Sequence, residues 1–398
     1  MALTLSKKAQ GVKPSSTLAI TAMAKEMRAK GMDVVGFGAG EPDFNTPENI
    51  NQAAIEAIHQ GFTKYTPASG TAELKEAVSR KFKSFNNLDY KPSQIVISNG
   101  GKHSLTNVFQ ILLNAGDEVI IPAPYWLSYP EIVKLADGIP VYICGEKEHG
   151  YKVSAAQIEA AITDKTKALV LNTPSNPTGM IYSREELQEI ADVVVKHDIY
   201  VVADEMYEYL IYGEKEHVSI ASLGEEIYKR TITCSGLSKS YSMTGWRIGY
   251  TGSSEEIAKL MSSVQSHQTS NPNSIAQKAA VEALNGSQEK TEQMKAEFDK
   301  RRKHMFERIS KMPLVSTLEP EGAFYVFVDC SGVNGKSYKG TTINCAADFA
   351  DILIKEFQVA VVPCADFGFE NHIRLSYAIS MEQIEKGLNR MEDLLCQL

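Results

Sequence analysis

Apolar positions in the middle of the chain come in short unbroken runs, separated by longer stretches with helical spacing. Ala168-Leu169-Val170-Leu171 and Tyr200-Val201-Val202-Ala203 are the clearest runs. A strand with solvent on one face alternates apolar and polar residues, whereas a continuous run suits a strand buried on both faces. On this basis strands are expected at 94–98, 118–121, 168–171, 199–203 and 230–233. Helical patterns fall between them at 104–113 and 129–135. Another opens at Ser183, with Glu186 three residues later as a capping box. Repeated strand–helix alternation predicts an α/β fold around a mostly parallel sheet.

The texture changes after about residue 253. Ser253 with Glu256 has the spacing of a helix cap, and a long polar helix is expected over 287–312. Strands are expected at 323–328 and 373–377, and a helix at 381–395 behind Ser380 and Gln383. This part forms a smaller α+β unit. The expected division is 47–286 for the large domain and 287–398 for the C-terminal part of the small one. Residues 1–46 do not join the central alternation and are assigned to the small domain.

The chain has 398 residues, 43% hydrophobic and 23% charged, an ordinary globular composition. Its net charge of −8 argues against a nucleic-acid or membrane surface. Six cysteines lie scattered without C-x-x-C spacing, which speaks against zinc and against a disulfide framework. No apolar run is long enough to span a bilayer, and the first residues lack a signal-peptide core. A cytoplasmic location is expected.

Candidate chemistry concentrates at the ends of the expected strands. Lys239 follows the 230–233 run on a hydroxyl-rich loop, and Arg247 comes eight positions later within Thr244-Gly245-Trp246-Arg247. A lysine there is a candidate Schiff-base nucleophile, and an arginine beside it can clamp a phosphate. Asp204 ends the 199–203 strand, as a ligand-facing carboxylate or as a helix N-cap. Asn176 lies in an Asn-Pro-Thr-Gly turn, and its amide can donate to an anionic oxygen. Gly100-Gly101-Lys102 sits between strand and helix, either as a tight turn or as a phosphate cradle. Tyr125 and Trp126 are core aromatics or a stacking face for a flat ring. Arg374, in an apolar strand, calls for a carboxylate from the protein or from a substrate. In a parallel sheet the ends carrying Asn176, Asp204 and Lys239 share one edge.

These motifs resemble those of class I aminotransferases of pyridoxal-phosphate (PLP) fold type I, and within them the bacterial aspartate branch with its prephenate-using members. The resemblance runs from about Lys13 to the last helix. It also takes in Gly40-Glu41-Pro42-Asp43-Phe44, Lys64-Tyr65, Asp204-Glu205-Met206-Tyr207, Gly322-Ala323-Phe324 and Arg374-Leu375-Ser376. The resemblance implies a large domain with a mostly parallel sheet flanked by helices, a smaller α+β domain, and pyridoxal 5′-phosphate as cofactor. It implies Lys239 as the Schiff-base lysine, Asp204 on the ring nitrogen, and Asn176 and Tyr207 on the ring oxygen. Trp126 would stack on the ring. Arg247 would hold the phosphate together with Gly100, Gly101 and Lys102. Tyr65 would reach the phosphate of the neighbouring subunit of a homodimer, and Ser270 would likewise cross the interface. Arg374 and the Gly40 backbone would hold the substrate α-carboxylate. Many relatives carry a serine where this chain has Gly236, which leaves the roles of Ser235 and Ser238 open.

No distal-carboxylate arginine of the animal type can be placed. Lys102 and the stretch Lys13-Pro14-Ser15-Ser16-Thr17, with Ser15 and Thr17, stand in for it in the branch this chain resembles. Aspartate is therefore the expected amino donor and a 2-oxo acid the acceptor, by a ping-pong reaction. An aromatic or prephenate aminotransferase is the alternative, and a lyase of the same fold comes after it. A transcription regulator would need a helix-turn-helix domain ahead of Lys13, for which there is no room.

Overall fold

The computed structural model describes residues 4–398. Its centre is a seven-stranded sheet. In spatial order the strands are Ile95–Ser98, Gly249–Gly252, Thr231–Gly236, Tyr200–Asp204, Thr166–Asn172, Glu118–Ala123 and Ile139–Cys144. Only Gly249–Gly252 runs against the others. The continuous apolar runs are buried on both faces. Val119, Ile121, Val170, Val202 and Ile232 pack under Phe109 and Tyr129 on one side. Leu169, Leu171, Val201 and Ala203 pack under Leu187, Ile190 and Val194 on the other.

The second sheet is antiparallel, in the order Val362–Pro363, His372–Ser376, Tyr325–Asp329 and Ser316–Thr317. Its core holds Phe37, Phe298, Phe324, Phe349, Leu353, Leu375 and Leu388. The N-terminal segment joins this core directly, because Val35–Gly36 pairs in parallel with Val359–Ala360. The Glu289–Ile309 helix lies along it, and Arg301 on that helix donates to Asp43 Oδ1 at 2.8 Å. That ion pair pins the 40–44 segment, which borders the site. No described helix is long and apolar enough to cross a membrane, and all six cysteines are free thiols.

Several boundaries differ from the sequence expectation, each for a local reason. The helix expected at 104–113 is Gly101–Leu112. It begins earlier because Gly100, at φ 86°, turns the chain straight off the preceding strand. The cap expected at Ser253 belongs to Ser254, whose hydroxyl accepts from Ile257 N at 3.3 Å. Ser253 is buried and donates to the Ser254 carbonyl instead. The strand expected at 323–328 is Tyr325–Asp329, because Ala323 sits in the left-handed region at φ 58°. The long polar helix spans Glu289–Ile309 rather than 287–312. Ile139–Cys144 and Gly249–Gly252 were not expected. The first is an edge strand with half its residues exposed, and the second is bounded by glycines that break the apolar pattern.

Gly387 provides a check on packing in the second core. It lies inside the Met381–Leu395 helix, where alanine ordinarily gains up to about 1 kcal/mol over glycine. Here an added Cβ would run into the Phe37 ring and come within 2.8 Å of the Val35 side chain. Gly387→Ala should therefore lower the urea unfolding midpoint, by about 1–3 kcal/mol of overpacking. A raised midpoint would mean that this contact is loose.

Candidate active site

The parallel strands end in register, so Asn172 is aligned with Asp204 and Asp204 with Cys234. Side chains just past those ends line a cavity of about 370 Å³ at the carboxyl edge of the sheet. The cavity brings together Asn176, Asp204, Tyr207, Lys239, Arg247, Gly101, Lys102 and Trp126 from the first sheet and its loops. The second sheet and the N-terminal segment contribute Arg374, Tyr325, Gly40, Ser15 and Thr17.

Asp204 is buried. Its Oδ2 accepts from the Tyr129 hydroxyl at 2.6 Å and its Oδ1 from Met206 N at 3.1 Å. No helix follows Asp204, and the second contact is a side-chain turn bond, so Asp204 both shapes the 204–208 turn and faces the cavity. Burial raises its pKa above the ordinary carboxylate value, against the lowering effect of the Tyr129 bond. Tyr207 meets Tyr325 hydroxyl to hydroxyl at 2.9 Å, and burial pushes its pKa well up.

Lys239 Nζ donates to the Gly40 carbonyl at 2.5 Å. Burial brings its pKa down to about 8, opposed by Glu41 and assisted by the positive charges of Arg374 and Arg247. Glu41 is held beside it by the Thr244 hydroxyl at 2.8 Å.

Arg374 is 2% exposed. Its Nη1 donates to Asn176 Oδ1 at 2.9 Å and its Nη2 to the Gly38 carbonyl at 3.4 Å. Its guanidinium lies 4.3 Å from the Tyr325 ring centre and 5.4 Å from that of Phe367. Among the described residues no carboxylate pairs with it, and its Nε has no partner. A buried guanidinium without a carboxylate is costly. Of the two carboxylates that its sequence context allowed, the protein's own is therefore not the one supplied.

Gly100 precedes the Gly101–Leu112 helix, and a Cβ there would collide with the Arg247 guanidinium. The missing side chain lets an arginine and a helix N-terminus close on one point, an arrangement suited to an anion. Arg247 itself adopts φ 59° at the cavity rim and is anchored by Nη1 to the Thr244 carbonyl at 2.7 Å. Lys102 Nζ stands 5.0 Å from the Trp126 ring centre, and desolvation followed by the Arg247 charge lowers its pKa.

Tyr125 stacks on Tyr142 and does not line the cavity, so Trp126 is the cavity aromatic. Ser238 lines the cavity, whereas Ser235 points away and donates to Glu208 Oε1 at 2.5 Å. At Gly236 a Cβ would press on the Ile248 carbonyl at 2.9 Å, so there is no space for a serine at this position. Ser15 caps the Ser16–Ala29 helix by accepting from Leu18 N, and Thr17 Oγ1 has no partner. Tyr65 is 90% exposed and is not brought to this cavity, and neither is Ser270. The sequence reading missed Tyr129, Tyr325 and Asn172. Asn172 could have been found, because it is a polar residue next to a buried apolar run and level with Asp204. The two tyrosines sit in elements read as core and carry no local signal.

Lys239 gives a direct check, because amine-reactive reagents attack the neutral form. Labelling of Lys239 in protein stripped of small molecules should rise with pH through a midpoint near 8, against about 10.4 for exposed lysines. Arg374→Met should move that midpoint up and Glu41→Gln should move it down. An ordinary midpoint would show that the amine is not desolvated.

Residues 32–391 match the family model "Aminotransferase class I and II". An aspartate aminotransferase of Bacillus sp. (strain YM-2) is 50% identical over 388 residues, covering 98% of each chain. A probable aspartate/prephenate aminotransferase of Rickettsia bellii is 46% identical over 390 residues, again 98% of each. The crystal structure of the Rhizobium meliloti aspartate aminotransferase superposes with a TM-score of 0.96 at 40% identity, over 100% of both chains. The Thermus thermophilus aspartate aminotransferase with maleate gives 0.93 at 41% identity, over 99% of this chain and 100% of that one.

Proposed function

The chain belongs to the class I and II aminotransferase family, and we propose from that premise that its preferred amino donor is aspartate and its acceptor a 2-oxo acid such as 2-oxoglutarate. It is a pyridoxal-phosphate-dependent enzyme that moves an amino group from an L-amino acid to a 2-oxo acid. The residues at the cavity fit that cofactor. They offer an amine of lowered pKa, a buried carboxyl, and an anion cradle that a Cβ at Gly100 would fill. When bound, pyridoxal phosphate supplies an aldehyde carbon to the lysine and a ring that takes up the electrons left by the departing Cα proton.

In this reading Arg247 and the backbone of Gly100, Gly101 and Lys102 hold the phosphate. Asp204 faces the ring nitrogen, where a positive partner favours its ionised form. Asn176 and Tyr207 serve the ring oxygen, and Trp126 covers the ring face. Arg374, with the Gly40 backbone, holds the substrate α-carboxylate and so fixes the Cα–H bond in front of Lys239. The observation that carries the reading is the buried Arg374 guanidinium, which has no protein carboxylate and opens on the same cavity as Lys239. With its pKa near 8, the Lys239 amine can take a proton at Nζ and return it close to neutral pH.

Lys102, Ser15 and Thr17 would meet the second carboxylate of aspartate. Support comes from all three lining the cavity and from the maleate, a dicarboxylate, named with the Thermus relative. The alternative is an aromatic or prephenate preference, favoured by Lys102 lying over Trp126 in an aromatic setting. The chain is proposed to work as a cytoplasmic homodimer in which the exposed Tyr65 reaches the phosphate of the neighbouring subunit. Its proposed division is 47–286 as the cofactor domain, with 1–46 and 287–398 as the small domain.

L-aspartate added to the loaded enzyme without a 2-oxo acid should convert the visible cofactor band to the aminated form. A band that ignores aspartate but answers phenylalanine would move the preference to aromatic donors. Asp204→Ala should cut kcat by about 10²-fold or more while the fold survives. Near-normal turnover would remove Asp204 from the ring nitrogen. Lys102→Gln should raise the KM for aspartate by about 10- to 100-fold, from loss of a charged hydrogen bond, and leave phenylalanine unaffected. An equal loss for both donors would assign Lys102 to the phosphate.

A further inference from the structure

Behind the site lies a second group of charges that the reaction does not touch. The 204–208 turn presents Asp204 and Tyr207 to the cavity, and the residue after each of them is a glutamate turned the other way. Glu205 and Glu208 are 1% and 2% exposed. Glu208 pairs with the buried Lys81 ammonium, from the Ala72–Phe85 helix. Asn86, just past that helix, donates to Glu205 Oε2 at 2.9 Å and to Glu208 Oε2 at 2.7 Å. His217 Nε2 meets Glu205 Oε2 at 2.8 Å. The Ser235 hydroxyl donates to Glu208 Oε1 at 2.5 Å, and Ser235 lies four residues before Lys239.

Glu205, Glu208 and His217 could by themselves ligate a metal ion. Lys81 already supplies the cation at Glu208, and Asn86 bridges both carboxylates. The arrangement is thus closed and directional. It connects four pieces of backbone: the turn with Asp204 and Tyr207, the strand end that leads to Lys239, a helix outside the site, and the 217–219 loop, whose Ser219 hydroxyl donates to Glu205 Oε1 at 2.6 Å. A buried charge cluster of this kind holds one geometry, because any displacement leaves a charge unpaired.

We propose that the Lys81–Asn86–Glu205–Glu208 cluster, joined to Ser235, is a positioning device that sets Asp204 and Tyr207 against Lys239. The inference rests on the site reading given above. None of its members touches substrate or cofactor. Glu208 acts on Tyr207 through one peptide unit, Glu205 on Asp204 through another, and Ser235 on the lysine loop. Catalysis falls steeply with displacements near 1 Å, so loss of the tie should appear in kcat before KM.

The test is the paired variant Lys81→Met with Glu208→Leu, which removes both charges together at similar volume and leaves neither uncompensated. In the cofactor-loaded enzyme the visible circular dichroism of the bound cofactor reports its seating independently of turnover. The expected result is full cofactor binding, a KM for the amino donor within about twofold of the parent, a kcat lower by roughly 10- to 100-fold, and an altered dichroic band. Lys81→Arg, which keeps a cation opposite the Glu208 carboxylate, should retain most of both signals. A folded paired variant with parental kcat and dichroism would overturn the inference. Should the pair fail to fold, Ser235→Ala removes one hydroxyl and carries the same two readouts. Turnover that survives Lys239→Ala would instead sink the site reading itself, so the two failures are distinguishable.

Discussion

The register of the parallel strands is the constraint from which the site follows. Asn172, Asp204 and Cys234 are level across three neighbouring strands. The chain leaving each strand therefore enters the same space. A one-residue slip would turn Asp204 to the opposite face and place Ala203 or Glu205 in the cavity. The slip is blocked because these strands are buried on both sides. Val202 and Val201 fill different cores, and exchanging them would disrupt both. Hydrophobic packing on two faces thus fixes the position of a polar edge that takes no part in it.

Desolvation then sets the chemistry of that edge. It pushes the Lys239 amine down and the Asp204 carboxyl up, toward the neutral form in each case. The surrounding charges tune the result. Glu41 works against the shift at Lys239, and Arg374 and Arg247 work with it. At Asp204 the Tyr129 hydroxyl and the Met206 N–H oppose burial and keep the carboxylate within reach. A lysine that is half neutral near pH 8 and an aspartate whose ionisation follows its partner are opposite consequences of one environment.

The parallel core was legible because burial on two faces writes itself as continuous apolar runs, and all five expected central strands are present. The residues that bear chemistry were legible where their type is unusual for their setting, as with Lys239 on a strand-end loop or Arg374 in an apolar strand. The reading failed where the signal is tertiary. Tyr129 is indistinguishable from a core aromatic until Asp204 is placed against it. Gly249–Gly252 is a strand because its neighbours make it one, since the glycines at both its ends interrupt the apolar pattern. Ser235 and Ser238 have the same side chain three positions apart, and only the direction of the strand end separates the one in the charge cluster from the one in the cavity.

The cavity lies where two cores meet, and hydrogen bonds join them around it. Arg374, on the antiparallel sheet, reaches Asn176 beyond the parallel one. Lys239 reaches the Gly40 carbonyl, and Thr244 reaches Glu41. The Arg301–Asp43 pair then fastens the 40–44 segment to the second core. These links bear on the groups assigned to substrate binding and proton movement, while the bulk of each core is packed within itself. A change in the angle between the two cores therefore acts on Arg374, Asn176 and Lys239, and also on Tyr207, which packs in the second core and meets Tyr325. The Arg374–Asn176 bond uses only Nη1 and the asparagine Oδ1, so the guanidinium keeps its unpartnered Nε, and the asparagine its amide N–H groups, for what enters the cavity. In the proposed reading, one hydrogen bond between the two cores therefore holds the group that meets the substrate and the group that meets the cofactor in a fixed relation.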